Sequence, residues 1–223
     1  MLSPLLSNLM LDDLDRELER RGLRFVRYAD DCNIYVRSRR AGERVMQSVT
    51  RFLTGRLKLK VNESKSAVAQ PAERKFLGFS FTSGREPKRC IAPISLLRFK
   101  KRIRELTKRN RGVSLERMVA QLASYLAGWR GYFGFCQTPS VLRGLDSWIR
   151  RRLRCFQWKQ WKRGTTRFAE LRKRGVSKDL AARTAGSSRR LWHISRSPAL
   201  SIALPGAYFD SLGLPKLNQT RHV

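Results

Sequence analysis

Two adjacent carboxylates, Asp30 and Asp31, stand between two apolar runs in the stretch RFVRYADDCNIYV. Carboxylate oxygens are hard ligands of the kind that Mg²⁺ prefers, and phosphoryl transfer with two metal ions needs several of them to hold both ions. The pair is therefore suited to supply two of the ligands of a magnesium-dependent site of nucleotide transfer. Because side chains alternate along a strand, only one of the two is expected to point directly at the metals. Taken alone, two adjacent aspartates between strands are also typical of an ordinary turn.

The elements around the pair predict how it is presented. Two short strand-like runs, 25–28 and 33–36, predict a hairpin that holds Asp30 and Asp31 at or beside its tip. Before this hairpin, SPLLSNLMLDDLDREL has leucines at helical spacing, with Ser3 as the expected N-cap, and predicts a helix.

The segments after the hairpin continue the same mixture of helix and strand. A second helix is expected from about residue 42 to 52, and the alternation of apolar residues over 57–61 predicts a half-buried strand. The run FLGFSF predicts another strand, interrupted by Gly78, a residue that often marks the close approach of another backbone. The first ninety residues are therefore expected to form an α+β sheet domain covered by helices.

The charge of the chain indicates its partner. Lys and Arg number 48 against 17 Asp and Glu, which gives a net charge of +31. Since such an imbalance opposes compaction by self-repulsion, we expect a polyanionic partner, with nucleic acid as the leading class. The excess is concentrated in residues 91–223, with 29 basic against 6 acidic residues, compared with 19 against 11 in residues 1–90. This shift predicts a domain boundary near Cys90.

Composition also excludes several classes of protein. No run of about 18 apolar residues is present to span a membrane, and the first thirty residues lack the pattern of a secretory signal. We therefore expect a cytoplasmic protein that makes no membrane contact. The four cysteines lie far apart and only His193 and His222 accompany them, so neither a zinc site nor a disulfide framework is predicted.

Two basic amphipathic helices are predicted in the second half. In the first, over 95–110, apolar residues share one face and acidic partners at i+4 are nearly missing, so phosphates are the expected counter-charges. The second, over about 140–162, has an apolar stripe and an arginine-rich opposite face, which is our first choice for RNA contact because guanidinium groups suit phosphate oxygens. The candidate RNA-binding residues in these helices are Lys100, Lys101, Arg104, Lys108, Arg150, Arg151, Arg152, Arg154, Lys159, Lys162 and Arg163.

An aromatic stretch, GWRGYF, lies between these two helices. Its aromatic rings are suited either to stacking on unpaired bases or to filling a core. We favour the core for Trp129 and Phe133. For Tyr132 and Arg130 both interpretations stay open, and Arg130 is retained as a candidate RNA contact.

The order and spacing of four segments, SPLL, YADD, LKLKVNESKS and FLGFSF, resemble reverse transcriptases, specifically the reverse transcriptase/maturases encoded by group II introns. SYLAGWRGYFGFC and LDSWIRRRLRCFQWKQWKR look like the thumb and maturase-specific region of that family. The resemblance covers nearly all of the chain. It implies an α+β architecture in which a partial palm, with a short antiparallel sheet and helices over residues 1–90, precedes a mainly α-helical part: a thumb over 91–135 and a maturase-specific RNA-binding region over 136–223.

The resemblance also implies roles for single residues. Asp30 and Asp31 match the family's catalytic carboxylates, which hold Mg²⁺, and the first is the usual metal ligand. The residues that match positions near the nucleotide or primer are Tyr28, Ala29, Lys65 and Gly78.

One catalytic feature of the family has no counterpart in this sequence. The carboxylate of the earlier palm motif, which in the family precedes the first helix by a considerable stretch, is missing, and the aspartates at 12, 13 and 15 are expected on the solvent face of that helix. We therefore expect a truncated member that is inactive as a polymerase by itself and binds group II intron RNA to assist splicing.

Two other functions stay open on the sequence. The first is an active RNA-directed DNA polymerase, formed when a separate polypeptide supplies the missing N-terminal half and acting on RNA, DNA or an RNA–DNA hybrid. The second is a non-specific basic RNA-binding protein or a decayed fragment, for which the YADD motif would be incidental.

Overall fold

The computed structural model describes residues 3–218, and for residues 3 and 4 it describes the backbone alone. Met1 and His222 lie outside this part, as does the side chain of Ser3, for which an N-cap was predicted. The chain divides into two compact units, unit 1 up to Arg85 and unit 2 from Glu86. Helices dominate and the strands are short, which confirms the predicted α+β class.

Unit 1 begins with a helix, α1 (Ser3–Arg20), and a hairpin of β1 (Arg24–Tyr28) and β2 (Asp31–Tyr35). Gly22 adopts a φ of +65° directly after α1, and its N–H donates to the carbonyl of Glu19 at 2.8 Å. This left-handed glycine ends the helix and turns the chain into β1.

The second helix of unit 1, α2 (Arg39–Gly55), is longer than its predicted span. Its first turn is capped by Ser38, whose hydroxyl accepts a hydrogen bond from the N–H of Ala41 at 3.2 Å. A 3-10 turn (Pro71–Glu73) and the strand β3 (Phe79–Phe81) follow.

The core of unit 1 is small and lies on one face of the hairpin. Leu14 and Leu18 of α1 and Val49 of α2 are buried, and Phe25 and Ile34 of the hairpin pack against them. The alternation along β1 leaves the opposite face of the hairpin exposed to solvent. One face of this two-stranded sheet is therefore covered and the other is open.

Two details of the predicted strands are wrong. Residues 57–61 form no strand, because Lys58 has a φ of +56° that breaks the extended run, and the N–H of Leu59 donates back to the carbonyl of Leu53. The segment FLGFSF is a tight turn followed by β3, since Phe76 and Phe79 exchange two backbone hydrogen bonds of 2.9 Å. Leu77 and Gly78 both have positive φ, as in type I′ turns, so this glycine serves the turn.

Unit 2 is almost entirely helical and begins with β4 (Arg89–Ile91). Its three long helices are α3 (Pro93–Leu106), α4 (Leu115–Phe133) and α5 (Pro139–Gln160). The shorter ones are α6 (Gly164–Lys173), α7 (Lys178–Ala185), α8 (Leu191–Ile194), α9 (Pro198–Ala203) and α10 (Gly206–Ser211). The stretch GWRGYF forms the last turns of α4.

A single hydrophobic cluster of 26 buried residues runs through unit 2 from Ile91 to Leu217. Trp129 lies against this cluster, with its ring centroid 4.2 Å from that of Phe99 and 4.8 Å from that of Phe133. Trp129 and Phe133 therefore pack with the core, as favoured from the sequence. Residues 91–135 and the described residues 136–218 contribute to this one core. The predicted boundary between a thumb and a maturase-specific region therefore stays a prediction.

Candidate functional site

The hairpin of unit 1 presents the two carboxylates at its tip, as predicted. Tyr28 and Asp31 form the last pair of the antiparallel register, so Ala29 and Asp30 make up the two-residue connection between the strands. Asp30 and Asp31 are both exposed. Asp31 lies directly opposite Tyr28, which is 63% exposed, on the open face of the hairpin.

An arginine on the covered face fixes the position of this tip. Arg27 donates from Nε to Oδ1 of Asp15 at 2.8 Å and from Nη2 to Oδ2 of the same carboxylate at 2.5 Å. It also donates from Nη1 to the carbonyl of Ala29 and to Oδ1 of Asn8, both at 2.9 Å. The hydrogen bonds that Arg27 donates to the Asp15 carboxylate raise the pKa of Arg27 above its usual value. The predicted solvent-face role of Asp15 is therefore wrong, because this half-buried carboxylate ties α1 to the tip.

The residue before the carboxylate pair is strained. Ala29 has a φ of +52°, in the left-handed region that costs an L residue roughly 1–2 kcal/mol. Its carbonyl is held by Arg27, which helps to maintain this conformation. Backbone strain of this kind concentrates at functional sites, where the surrounding structure over-determines it.

The carboxylates at the tip could supply only some of the ligands of a magnesium centre. Asp30 and Asp31 offer the hard oxygen ligands that Mg²⁺ prefers, but within residues 3–218 no group of three or more Asp, Glu, His or Cys side chains is placed to hold a metal ion. A two-metal centre needs further anionic oxygens to hold both ions. The described residues therefore do not complete such a centre, and we derive no catalytic step from it.

The other candidate residues of unit 1 lie in turns. The N–H of Lys65 donates to the carbonyl and to Oδ1 of Asn62, each at 3.2 Å, and the carbonyl of Lys65 accepts from Arg74 at 2.5 Å. The side chain of Lys65 is exposed, and Gly78 lies in the turn before β3. Their roles beside a nucleotide or primer stay predictions.

Four cations of α3 form a surface that we call the α3 basic face: Lys100, Lys101, Arg104 and Lys108, the last just beyond the helix end. Lys100 is half-buried and the other three are exposed. The guanidinium of Arg104 lies 5.8 Å from the ring centroid of Trp148 on α5. Glu105 is the one acidic residue in the sequence of α3, and it pairs with Arg102 at 3.2 Å. The cations of the α3 basic face thus have no acidic partner within their own helix.

The arginines in the middle of α5 make contacts inside unit 2. Arg150 is 12% exposed and pairs with Asp210 at 2.7 Å and with Asp146 at 3.5 Å. Burial raises the pKa of Asp210, but the hydrogen bonds from Arg150 and Lys216 outweigh this effect and hold that pKa below its usual value. Arg150 therefore links α5 to α10.

Three further arginines of α5 also make hydrogen bonds inside unit 2. Arg151 donates to the carbonyl of Trp192 at 2.6 Å, Arg152 donates to Oγ1 of Thr107 at 2.6 Å, and Arg154 donates to the carbonyl of Leu204 at 2.9 Å. Burial lowers the pKa of all three guanidinium groups. These side chains hold neighbouring elements against α5, and RNA contact by them stays a prediction.

Exposed cations continue at the end of α5. Lys159, Lys162 and Arg163 are all exposed, whereas Arg130 near the end of α4 is half-buried. Tyr132 is 50% exposed, and its ring and that of Phe133 are arranged edge to face, with centroids 4.8 Å apart.

A membrane-spanning segment is not found in the described part of the chain, since none of its helices combines the necessary length with sufficient apolar character.

Comparisons with known protein families agree with these two units. The model of the reverse transcriptase (RNA-dependent DNA polymerase) family matches residues 1–81, and that of the group II intron maturase-specific domain matches residues 96–175. No curated protein sequence matches the chain. The first match contains the Asp30–Asp31 tip and indicates a divalent metal, and the second contains the α3 basic face and α5. The chain therefore belongs to the reverse transcriptase/maturases encoded by group II introns, with part of the palm followed by the maturase-specific domain.

Proposed function

We propose that this chain binds group II intron RNA through unit 2 and thereby assists splicing of the intron. In this proposal residues 1–90 are the partial palm, 91–135 are thumb-like and 136–223 are the maturase-specific RNA-binding region. The protein acts in the cytoplasm, in keeping with an RNA partner. The observation that carries the proposal is the exposure of the α3 basic face on a unit that has one continuous core.

A continuous core gives the exposed cations a fixed spacing. Phe99 and Ile103 of α3 are buried in the same cluster as Ile149 and Leu153 of α5. The helices that carry the cations are therefore anchored to each other, and little order has to be gained when phosphates bind. Contacts to phosphate position a protein on RNA but carry no sequence information by themselves. Selection of the intron then requires the shape of the folded RNA or contacts to its bases.

The test of this proposal is binding of the purified protein to labelled group II intron RNA and to an unrelated structured RNA across a salt titration. We expect preferential binding to the intron that persists near physiological salt. The logarithm of affinity should fall with the logarithm of salt concentration by about 0.7 for each phosphate contact. Equal, salt-fragile binding to both RNAs would contradict the proposal and favour a non-specific basic protein or a decayed fragment.

A second candidate is a polymerase completed in trans. Unit 1 exposes a set of apolar side chains on α1 and on the open face of the hairpin, which is more apolar surface than a self-sufficient palm is expected to leave uncovered. The most exposed members are Leu5, Leu6, Leu9, Val26 and Tyr28. A separate polypeptide that carries the first half of a palm would cover this surface and add the carboxylate that the tip requires. Its substrates would be RNA, DNA or an RNA–DNA hybrid, with Mg²⁺ as the cofactor.

We expect no DNA synthesis by these 223 residues alone, because the two carboxylates at the tip do not complete a two-metal centre. The measurement is extension of a primed RNA template in the presence of Mg²⁺ and deoxynucleotides. Asp30→Ala is the matched control, since Asp30 is exposed and its loss should leave the fold intact. Extension that is abolished in Asp30→Ala would overturn this expectation. Extension that appears only when the first half of a related palm is added would support the second candidate.

A further inference from the structure

Trp192 is a large aromatic residue on the surface of unit 2. It lies in the short helix α8 and is 40% exposed, whereas Trp158 and Trp161 of the same unit are 1% and 5% exposed. Of the five tryptophans, all of which lie in the described part of the chain, Trp192 is the one that is exposed.

The buried side of this ring is held in place by Arg151. The guanidinium carbon of Arg151 lies 3.7 Å from the ring centroid, which is the geometry of a cation–π stack. Arg151 also donates to the carbonyl of Trp192 at 2.6 Å and to Oγ of Ser195 at 3.2 Å. Ser195 is buried and donates to the same carbonyl at 2.7 Å. Both the ring and the backbone of Trp192 are therefore fixed before any ligand binds.

The sequence around this ring is strongly basic. Arg189, Arg190 and Arg196 flank Trp192, and all three are exposed, as is His193. Arg196 lies close enough to Arg151 for its charge to add to burial in lowering the pKa of Arg151. An aromatic face surrounded by exposed guanidinium groups is the combination that binds single-stranded nucleic acid, since the cations contact the backbone and the ring stacks on a base.

We propose that Trp192 is a stacking site for an unpaired RNA base, with the base on the outer face of the indole and Arg151 on its inner face. Arg189, Arg190 and Arg196 contact the phosphates on either side of that base. The ligand is single-stranded RNA because a base within a duplex already has both of its faces covered by neighbouring bases. The site rests on the proposed RNA-binding function and adds to it a contact that distinguishes unpaired from paired RNA.

The experiment compares two probes, a short single-stranded oligoribonucleotide and a blunt-ended RNA duplex formed from two complementary strands. The variants are Trp192→Ala and Trp192→Phe, and the matched control is Ile202→Ala, which removes a 49% exposed apolar side chain from α9 of the same unit. Trp192→Ala should weaken binding of the single strand about 10-fold and change binding of the duplex by less than about twofold. Trp192→Phe should retain most of the affinity because a stacking face remains.

Fluorescence gives an independent reading of the same contact. The single strand should quench the tryptophan emission of the unmodified protein, and this quenching should be lost in Trp192→Phe. The inference is overturned if Trp192→Ala leaves binding of the single strand unchanged, or if it weakens binding of both probes equally. An unmodified protein that binds intron RNA but not the single strand would overturn this inference alone, whereas one that also fails to bind intron RNA would overturn the proposed function. Thermal unfolding of Trp192→Ala beside Ile202→Ala shows whether the fold is retained.

Discussion

Replacing Arg150 with alanine is expected to lower the free energy of unfolding of unit 2 by about 3 kcal/mol. The side chain is 12% exposed and lies between the carboxylates of Asp146 and Asp210, which its removal would leave without their shared cation. Asp146 also accepts hydrogen bonds from the N–H groups of Leu217 and Asn218, at 3.1 Å and 3.4 Å. The loss therefore extends to the C-terminal segment that closes the core. This loss of stability is at the lower end of the range for breaking a buried ion pair, because the Asp210 side chain is 28% exposed.

Arg143→Ala is the matched control, since it removes an exposed arginine from the same helix, α5, and should change stability by less than about 0.5 kcal/mol. Chemical denaturation monitored by circular dichroism measures both variants. RNA affinity is measured under conditions in which Arg150→Ala is still folded, and it should stay within about threefold of that of the unmodified protein. Loss of a charge-assisted hydrogen bond to a phosphate would lower the affinity by more than this. A stable Arg150→Ala variant that has lost RNA binding would show that this side chain contacts RNA and not only its two aspartates.

Neutralising the α3 basic face should have the largest effect on RNA binding. Replacing all four of its cations with glutamine removes up to four phosphate contacts. The slope of log affinity against log salt should then fall by about 2.8, and affinity at about 0.1 M salt should fall roughly several hundred-fold. The helix should persist, because glutamine is a good helix former and the buried residues of α3 are unchanged.

The control for this variant carries the same change in net charge on unit 1. Arg37, Arg40, Lys60 and Lys75 are exposed there, and replacing them with glutamine also lowers the formal charge from +31 by four. We expect a much smaller loss of affinity from this control. If the two fourfold variants lose affinity equally, binding follows net charge alone, and the non-specific interpretation becomes the better one. A filter-binding or anisotropy titration at several salt concentrations measures both the affinity and the slope.

The parts of the fold that the sequence predicted are those that local interactions determine. The hairpin tip follows from two strand-like runs with a short connection, and the buried faces of α3 and α5 follow from helical spacing. The prediction of a strand over 57–61 was wrong. Alternating apolar residues form a strand only where another strand pairs with them, and the positive φ of Lys58 breaks the extended backbone of this segment.

The roles of the α5 arginines depended on contacts between distant parts of the chain. Arg150 and Arg151 contact partners that lie 60 and 44 residues away in the sequence. The sequence alone does not distinguish an arginine that makes such a contact from one that is exposed to solvent. Asp15 escaped prediction for the same reason, since its partner Arg27 lies on the next element. Trp192 did have a signal in the sequence, namely a lone tryptophan in a basic segment outside the long helices.

The unequal cores of the two units have a consequence for the turnover of the protein in a cell. Unit 1 buries Leu14, Leu18 and Val49, whereas the cluster in the described part of unit 2 contains 26 buried residues. Segments with few buried apolar contacts open more often, and proteases cleave a protein where it opens. Degradation should therefore begin in unit 1, and a fragment corresponding to unit 2 should accumulate. We therefore expect unit 2 to persist in the cell longer than unit 1 once proteolysis has begun.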